Sequence, residues 1–386
     1  MNSIRAITRR EMIKDSVTLA ALAFAQYPLS LFGAPDPTEG ATVIPFLDVQ
    51  PMDPKRPMTK WEDLTTWITP NEKVFAVNHY GTPNVDLQKW RLDISGLVQK
   101  PQTLSLSDIK ARKRKHVLAT IECSGNSSNL GFMGAVGNVK WTGTPLAPLL
   151  KECGVLKRGI EVVFFGADEK VEKIREKDYL QNFARSLSIG DAMRDDILLA
   201  YEMNGEPLAT EHGAPLRLIV PGWFGIAWVK WLGRIEVLDR RYMSKYMARE
   251  YVTIRGGEKD GKTTWRETSV GPMDVKSIVA RATRLKNGDV RFTGAAWSDG
   301  APLKSVELQI DGGSWMPVHL DRKQHAKYSW TFWDYDWKNP APGEHKVVSR
   351  AIDAEDRVQP SADDPAIKLK RTYWEANQQY PRKLRL

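Results

Sequence analysis

Glu122-Cys123-Ser124-Gly125-Asn126 ends an apolar run, Ala119-Thr120-Ile121, with a thiol at the edge of a turn of small and polar residues. A cysteine at a strand end can face a ligand, and its thiolate is a soft donor suited to transition metals. Cysteine is also among the most often buried residues, so on spacing alone a core role stays open. Cys153, in Leu149-Leu150-Lys151-Glu152-Cys153-Gly154, reads as core at a helix end. A disulfide between the two would require an oxidising compartment. A second constellation runs through Glu211-His212-Gly213-Ala214-Pro215-Leu216-Arg217, Pro221-Gly222-Trp223-Phe224-Gly225 and Trp228-Val229-Lys230-Trp231-Leu232. His212, Arg217 and Lys230, with backbone N–H groups freed by Gly222 and Gly225, are donors that could hold a phosphate. Taken singly, each reads as a surface residue.

Other chemistries lack their signatures. No GxGxxG, GxxxxGKS or GxxxxGKT, HExxH or GxSxG occurs, and the six histidines have no metal-ligand spacing. There is no CxxCH for covalent haem, and two cysteines cannot build a four-cysteine zinc site or a disulfide framework. The 386 residues are 42% hydrophobic and 27% charged, which fits a globular protein of two or three domains. Mean hydropathy is -0.42, against a multi-span membrane protein. The net charge of +9 is spread along the chain apart from the run Lys110 to Lys115, which reads as a solvated helix end rather than a nucleic-acid site.

The elements that must position these residues divide the chain. Thr8-Arg9-Arg10-Glu11-Met12-Ile13-Lys14 followed by the apolar run Val17 to Ala25 has the layout of a twin-arginine export signal. An amphipathic helix is the plain alternative, and the run is too short to span a membrane, which takes about 20 residues. Ala23-Phe24-Ala25 and Phe32-Gly33-Ala34 are candidate cleavage sites. We expect the signal and start of an arm over residues 1–34, an extended arm over 35–70, a catalytic domain over 71–270, a second domain over 271–375 and a tail over 376–386. In the catalytic domain, β-rich runs (Val74-His79, Leu87-Ile94, His116-Ile121, Glu161-Phe165, Ile197-Tyr201, Pro215-Val220) mix with helical pieces at Leu146-Lys151 and Ile189-Asp195. That is an α+β pattern. Gly256 to Glu267 reads as a long surface loop. Beyond Gly271 the runs Val275-Ala282, Asp289-Trp297, Ser305-Asp311, Tyr328-Trp333 and His345-Asp353 predict an immunoglobulin-like sandwich.

Taken together, Glu122-Cys123-Ser124-Gly125-Asn126, Trp141-Thr142-Gly143, Leu198 to Gly205, His212-Gly213-x-Pro215-x-Arg217 and Val229-Lys230-Trp231-Leu232 resemble the sulfite oxidase family of molybdenum enzymes. The resemblance covers nearly all of residues 70–370. It implies an α+β fold: a mixed α/β molybdopterin-binding domain followed by an immunoglobulin-like dimerisation domain, and hence a homodimer. It implies one molybdenum–molybdopterin per chain, with Cys123 as the metal ligand. His79 would contact the cofactor, and His212, Arg217 and Lys230 would hold the pterin and its phosphate. Tyr251 would be the active-site tyrosine. The substrate would be a small sulfur-containing compound or oxyanion. Electrons would pass to a c-type cytochrome or other external acceptor, with no haem in this chain. The expected place is the periplasm, with no nucleic-acid partner and no membrane span in the mature chain. Sulfite-oxidising members hold their anion with arginines, and this chain carries Val77, Ser128 and Pro302 where three of these fall. Arg185, Lys140 or Lys304 could stand in. The pattern is closer to other bacterial members, sulfane dehydrogenase among them. The alternatives are an S-oxide reductase of the methionine sulfoxide type and, from another class, a non-catalytic cofactor-binding or assembly protein.

Overall fold

The computed structural model describes residues 41–49, 58–128 and 132–386. The twin-arginine stretch and both candidate cleavage sites lie outside them.

Two sheets build the catalytic domain. In the first, Arg217–Ile219, Leu198–Met203, Val136–Pro145 and Lys115–Glu122 lie side by side, all antiparallel. The Lys115–Glu122 strand alternates at its start and is wholly buried over its last four residues, so it carries Glu122 and the following Cys123 into the interior. In the second sheet the order is Gln102–Leu104, Leu92–Gly96, Leu232–Leu238, Glu161–Ile174 and Lys177–Ser188. Its one parallel pair joins Leu232–Leu238 to Leu92–Gly96. Helices are short. Leu146–Cys153 is the longest among the described residues, and Cys153 ends it fully buried, with Gly154 at φ 69° closing the helix. Both cysteines are free. None of the described helices is long and apolar enough to cross a membrane.

Two expectations for this domain fail. Val74–His79 is not a strand: it follows a turn at Asn71–Lys73 as irregular chain, and the Val77 carbonyl takes a hydrogen bond from the Lys230 side chain instead of a neighbouring strand. Gly256 to Glu267 is not a loop but part of a hairpin, Val252–Lys259 with Lys262–Ser269. Asp260 and Gly261, at φ 53° and 70°, make the two-residue turn that antiparallel strands favour. The second strand is exposed throughout, so its sequence has no buried face to alternate against.

The second domain is a sandwich of two antiparallel sheets. One holds Thr42–Ile44, Lys276–Arg284, Val290–Trp297, Thr331–Trp337 and His319–Asp321. The other holds Met316–Pro317, Leu303–Ile310, Glu344–Asp353 and Arg382–Arg385. Val279, Phe292, Val306, Trp333 and Val347 are part of its core. The arm and the tail therefore each contribute an edge strand. Arg382, 1% exposed, joins them through ion pairs with Asp48 and Glu62. Strands of three and four residues are too short to leave a period in the sequence. The arm also docks Trp61 on Trp297, rings stacked at 6.0 Å, where the sandwich meets the catalytic domain.

Candidate active site

Segments from across the catalytic domain converge on two adjoining cavities. The first, about 590 Å³, is lined among others by His79, Cys123, His212, Arg217, Lys230 and Tyr251, so the structure brings all six sequence-nominated residues to one place. The second, about 760 Å³, shares Phe75 to Asn78, Cys123 and Tyr251 with the first and opens toward Phe132, Tyr373 and Trp374. Cys123 and Tyr251 thus stand at the junction.

Cys123 leaves the end of its strand with its N–H donating to the Ala135 carbonyl at 2.9 Å. Apolar surroundings push the half-buried thiol up to about 11. At neutral pH the sulfur stays protonated, whereas coordination to a metal removes that proton. Among the described residues no three His, Cys, Asp or Glu side chains converge as a protein-only metal site. A metal held here needs its remaining ligands from another molecule.

The cationic end of the first cavity is built by close approach of two loops. Gly213, at φ 105°, lies where a Cβ would come within 2.9 Å of the Lys230 Cβ. His212 and Arg217 are 4% and 6% exposed, yet His212 Nδ1 and Arg217 Nε have no hydrogen-bond partner among the described residues. Burial holds Arg217 down to about 9. Burial, then the Arg217 charge, lowers His212 to about 4 and Lys230 to about 7. Donors left orphaned in a buried basic cluster fit an anionic group such as a phosphate, and the thiol beyond them fits a soft metal. The residues present therefore fit molybdopterin. Gly225 lines this cavity as expected. Gly222 does not: a Cβ there would strike the Asp299 carbonyl at 2.2 Å, so this glycine serves the contact with the sandwich.

The lysine carries a pH prediction. Its folded-state value, about 7, lies below the ordinary 10.5. Between these values the unfolded chain binds more protons, so stability gains from this group as pH rises through the window. The thermal midpoint of cofactor-free protein should climb between pH 7 and 9 more steeply than that of Lys230→Met, and a bound anion should flatten the difference. Parallel curves for the two cofactor-free proteins would refute it.

Tyr251 is held in an unusual backbone state. Its φ is 54°, costly for a bulky side chain. A π-type turn, Lys245–Arg249, precedes it, and the Val270 N–H donates to its carbonyl at 2.9 Å. Arg185, fully buried, donates to the carbonyls of Tyr246 and Val270 and so ties down both sides of the segment. The Tyr251 hydroxyl lies 2.7 Å from His79 Nε2, and its ring stacks on Trp374 at 4.0 Å. Burial, then the nearby Lys230 charge, lowers His79 to about 4, and burial raises Tyr251. Both are neutral at pH 7. In the tautomer with its hydrogen on Nε2, His79 donates to the Tyr251 oxygen and the phenolic hydrogen stays free to donate to a ligand.

Two family models match. Residues 79–246 fit the oxidoreductase molybdopterin binding domain and residues 267–373 the Mo-co oxidoreductase dimerisation domain. Mitochondrial sulfite oxidase of Rattus norvegicus is 30% identical over 331 residues, 79% of this chain and 59% of that protein. The chain belongs to the sulfite oxidase family of molybdenum oxidoreductases. It spans about 59% of the length of the rat and human enzymes it matches. Sulfite oxidase of Arabidopsis thaliana is 29% identical, covering 77% of this chain and 83% of its own. The crystal structure of the sulfane dehydrogenase SoxCD from Paracoccus pantotrophus superposes with a TM-score of 0.72 at 28% identity, covering 92% of this chain and 91% of that one. Against this family frame, Val77 lines both cavities, whereas Ser128 and Pro302 line neither. Nor do the cations that could have stood in: Arg185 is spent on backbone carbonyls, Lys304 pairs with Asp356, and Lys140 is exposed on its strand.

Three contributors went unread in the sequence. Phe183 and Tyr246 pack on the His79 ring at 4.9 and 4.8 Å. Glu122, beside the cysteine, makes a buried ion pair with Lys276. A charged residue closing the buried end of a strand was the signal for the last.

Proposed function

We propose that this chain is a molybdopterin-dependent oxidoreductase that transfers an oxygen atom to sulfite or a related reduced sulfur compound and passes the electrons to a c-type cytochrome or another external acceptor. One observation carries the reading: Cys123 stands where a cavity with orphaned cationic donors meets a second cavity whose described lining holds no Lys, Arg or His. When bound, the cofactor supplies a two-electron redox centre that exchanges an oxygen atom. The protein's part is orientation and field. Cys123 would hold the metal, while His212, Arg217 and Lys230 would hold the phosphate end. The neutral His79–Tyr251 pair keeps a hydroxyl fixed beside Cys123, ready to donate to oxygen at the reacting end. Trp374 excludes water from the other face of that tyrosine. The names borne by the relatives, sulfite oxidase and sulfane dehydrogenase, support a sulfur substrate. The match to a dimerisation domain supports a homodimer.

Purified protein should contain about one molybdenum per chain and oxidise a sulfur compound with a one-electron dye. Absence of metal from protein made in a molybdenum-replete host refutes the reading. We also place the protein in the periplasm, exported through Arg9-Arg10. Changing both to Lys keeps the charge but removes the guanidinium pair, so metal-loaded protein should accumulate in the cytoplasm. Normal delivery of that variant refutes this route.

A further inference from the structure

Trp374, Glu375 and Ala376 lie on chain without helix or strand, yet each touches a different part of the site. The Trp374 ring stacks on Tyr251 at 4.0 Å. The buried Glu375 carboxylate accepts from Arg255 Nη1 at 2.5 Å and from the Gly271 N–H at 3.4 Å. The Ala376 N–H donates to the Ser124 carbonyl at 3.0 Å, next to Cys123. Arg255 belongs to the strand that begins directly after Tyr251, and Gly271 follows Val270, whose N–H donates to the Tyr251 carbonyl. The exposed hairpin thus leaves from Tyr251 and returns to it, and Glu375 is bonded at both ends.

Charge closes this stretch where secondary structure does not. Its start lies along the hairpin, the Gly256 N–H donating to the Leu369 carbonyl at 2.7 Å and the Arg371 N–H to the Ile254 carbonyl at 2.9 Å. Lys370 then donates to the Trp374 and Glu375 carbonyls at 3.1 and 3.0 Å, folding the chain around its own ammonium. Asp274 stands 3.8 Å from Arg255. Burial, then the Glu375 charge, pushes Asp274 up to about 6, and burial, then Arg255, holds Lys370 down to about 8. Two cations and two carboxylates therefore face one another behind the aromatic wall, and none of the four lines either cavity. Such a group adds little net stability over apolar packing, but its charge-assisted bonds fix geometry. Tyr251 needs that support: its φ of 54° is costly, and its hydroxyl must meet a ligand at hydrogen-bond distance.

We propose that Glu375 is a positioning residue: through Trp374 and Ala376 on either side of it, it sets the spacing between the Cys123 turn and the Tyr251 hydroxyl. The kinetic part of its test rests on the molybdopterin reading above, and the hydrogen-bond part does not.

Glu375→Gln, Glu375→Ala, Tyr251→Phe and the double change Glu375→Ala with Tyr251→Phe are compared, with Cys153→Ser as the control for destabilisation alone. In cofactor-free protein carrying isotope-labelled histidine, the nitrogen resonance of His79 Nε2 reports its bond to the Tyr251 hydroxyl. Tyr251→Phe supplies the position of that resonance without the bond. Glu375→Ala should move it most of the way there. Glu375→Gln, which keeps the reach of the side chain and one of its two hydrogen bonds, should move it part of the way. Cys153→Ser should leave it in place. In metal-loaded protein of measured molybdenum content, sulfite oxidation with ferricyanide should lose about tenfold in kcat in Glu375→Ala, with KM nearly unchanged. Once residue 251 is Phe, the same change should cost less than about twofold, because the group it positions is gone. A merely structural role would lower kcat equally in both backgrounds. Should Glu375→Ala fail to fold, Glu375→Gln carries the same comparisons. An unmoved His79 resonance in the folded Glu375 variants, or equal losses of kcat in the two backgrounds, overturns the proposal. A moved resonance in protein that does not turn over sulfite would uphold the brace and count against sulfite as the substrate instead.

Discussion

Cys123→Ser should lose at least about a thousandfold in turnover, roughly 4 kcal/mol of transition-state stabilisation, while keeping its fold. The loss is large because nothing nearby can replace the sulfur. No group of three His, Cys, Asp or Glu forms a metal site among the described residues, and Cys153 ends a separate helix in the core. A serine hydroxyl is a harder and far weaker acid, so it would meet the metal largely protonated. The fold should persist because the backbone bonds from the residue-123 N–H to the Ala135 carbonyl and from the Asn126 N–H to the residue-123 carbonyl do not use the thiol. Metal content, turnover and urea unfolding on the same preparation check this. Cys153→Ser is the control: a hydroxyl at a fully buried site costs about 1–3 kcal/mol of stability and leaves the kinetics alone. Near-normal turnover in Cys123→Ser would remove the assignment of the metal ligand.

The site was legible in the sequence where its residues lie close together in the chain. Cys123 announces itself in five consecutive residues, His212 and Arg217 in one short run and Lys230 in another. Their convergence was not legible from spacing. His79 and Tyr251 share a hydrogen bond across 172 positions, and only the resemblance to a family linked them. Arg185 was weighed as an anion ligand; it acts instead through backbone carbonyls that no side-chain pattern records. Tyr373 and Trp374 lie on irregular chain between the last two strands of the sandwich, so neither period nor motif marks them as walls of a cavity. Strands with one buried and one more exposed face, such as Val290–Trp297, were legible, whereas Val136–Pro145, buried on both faces, and Lys177–Ser188, exposed at one end and buried at the other, were not. Where that contrast is missing, in the exposed Lys262–Ser269 strand, the sequence reads as a loop although Asp260-Gly261 is a sound hairpin turn.

The sandwich domain reaches the metal-binding loop through one lysine. Lys276, in the first long strand of the sandwich, is 2% exposed, and its ammonium donates to Glu122 at 2.6 Å, to the Asn126 carbonyl at 2.8 Å and to the Ala376 carbonyl at 2.7 Å. All three of its hydrogens are used. Glu122, 1% exposed, also accepts from Asn126 Nδ2 at 2.9 Å and from Trp297 Nε1 at 2.7 Å. Asn126 in turn takes the Ala135 N–H at 2.9 Å, next to the carbonyl that Cys123 uses. A fully satisfied buried pair adds little net stability over an apolar substitute, but removing one partner strands the other charge. Lys276→Met should therefore destabilise the protein by about 3–5 kcal/mol. Adding Glu122→Gln to it should cost less than the sum of the two single changes, because the stranded carboxylate is gone. A general packing defect predicts additivity instead. Urea unfolding of the four proteins decides between them, and molybdenum content of the folded fraction reports whether the cysteine turn has shifted. If Lys276→Met costs under about 1 kcal/mol, as a surface pair would, the sandwich does not brace Cys123 through this lysine.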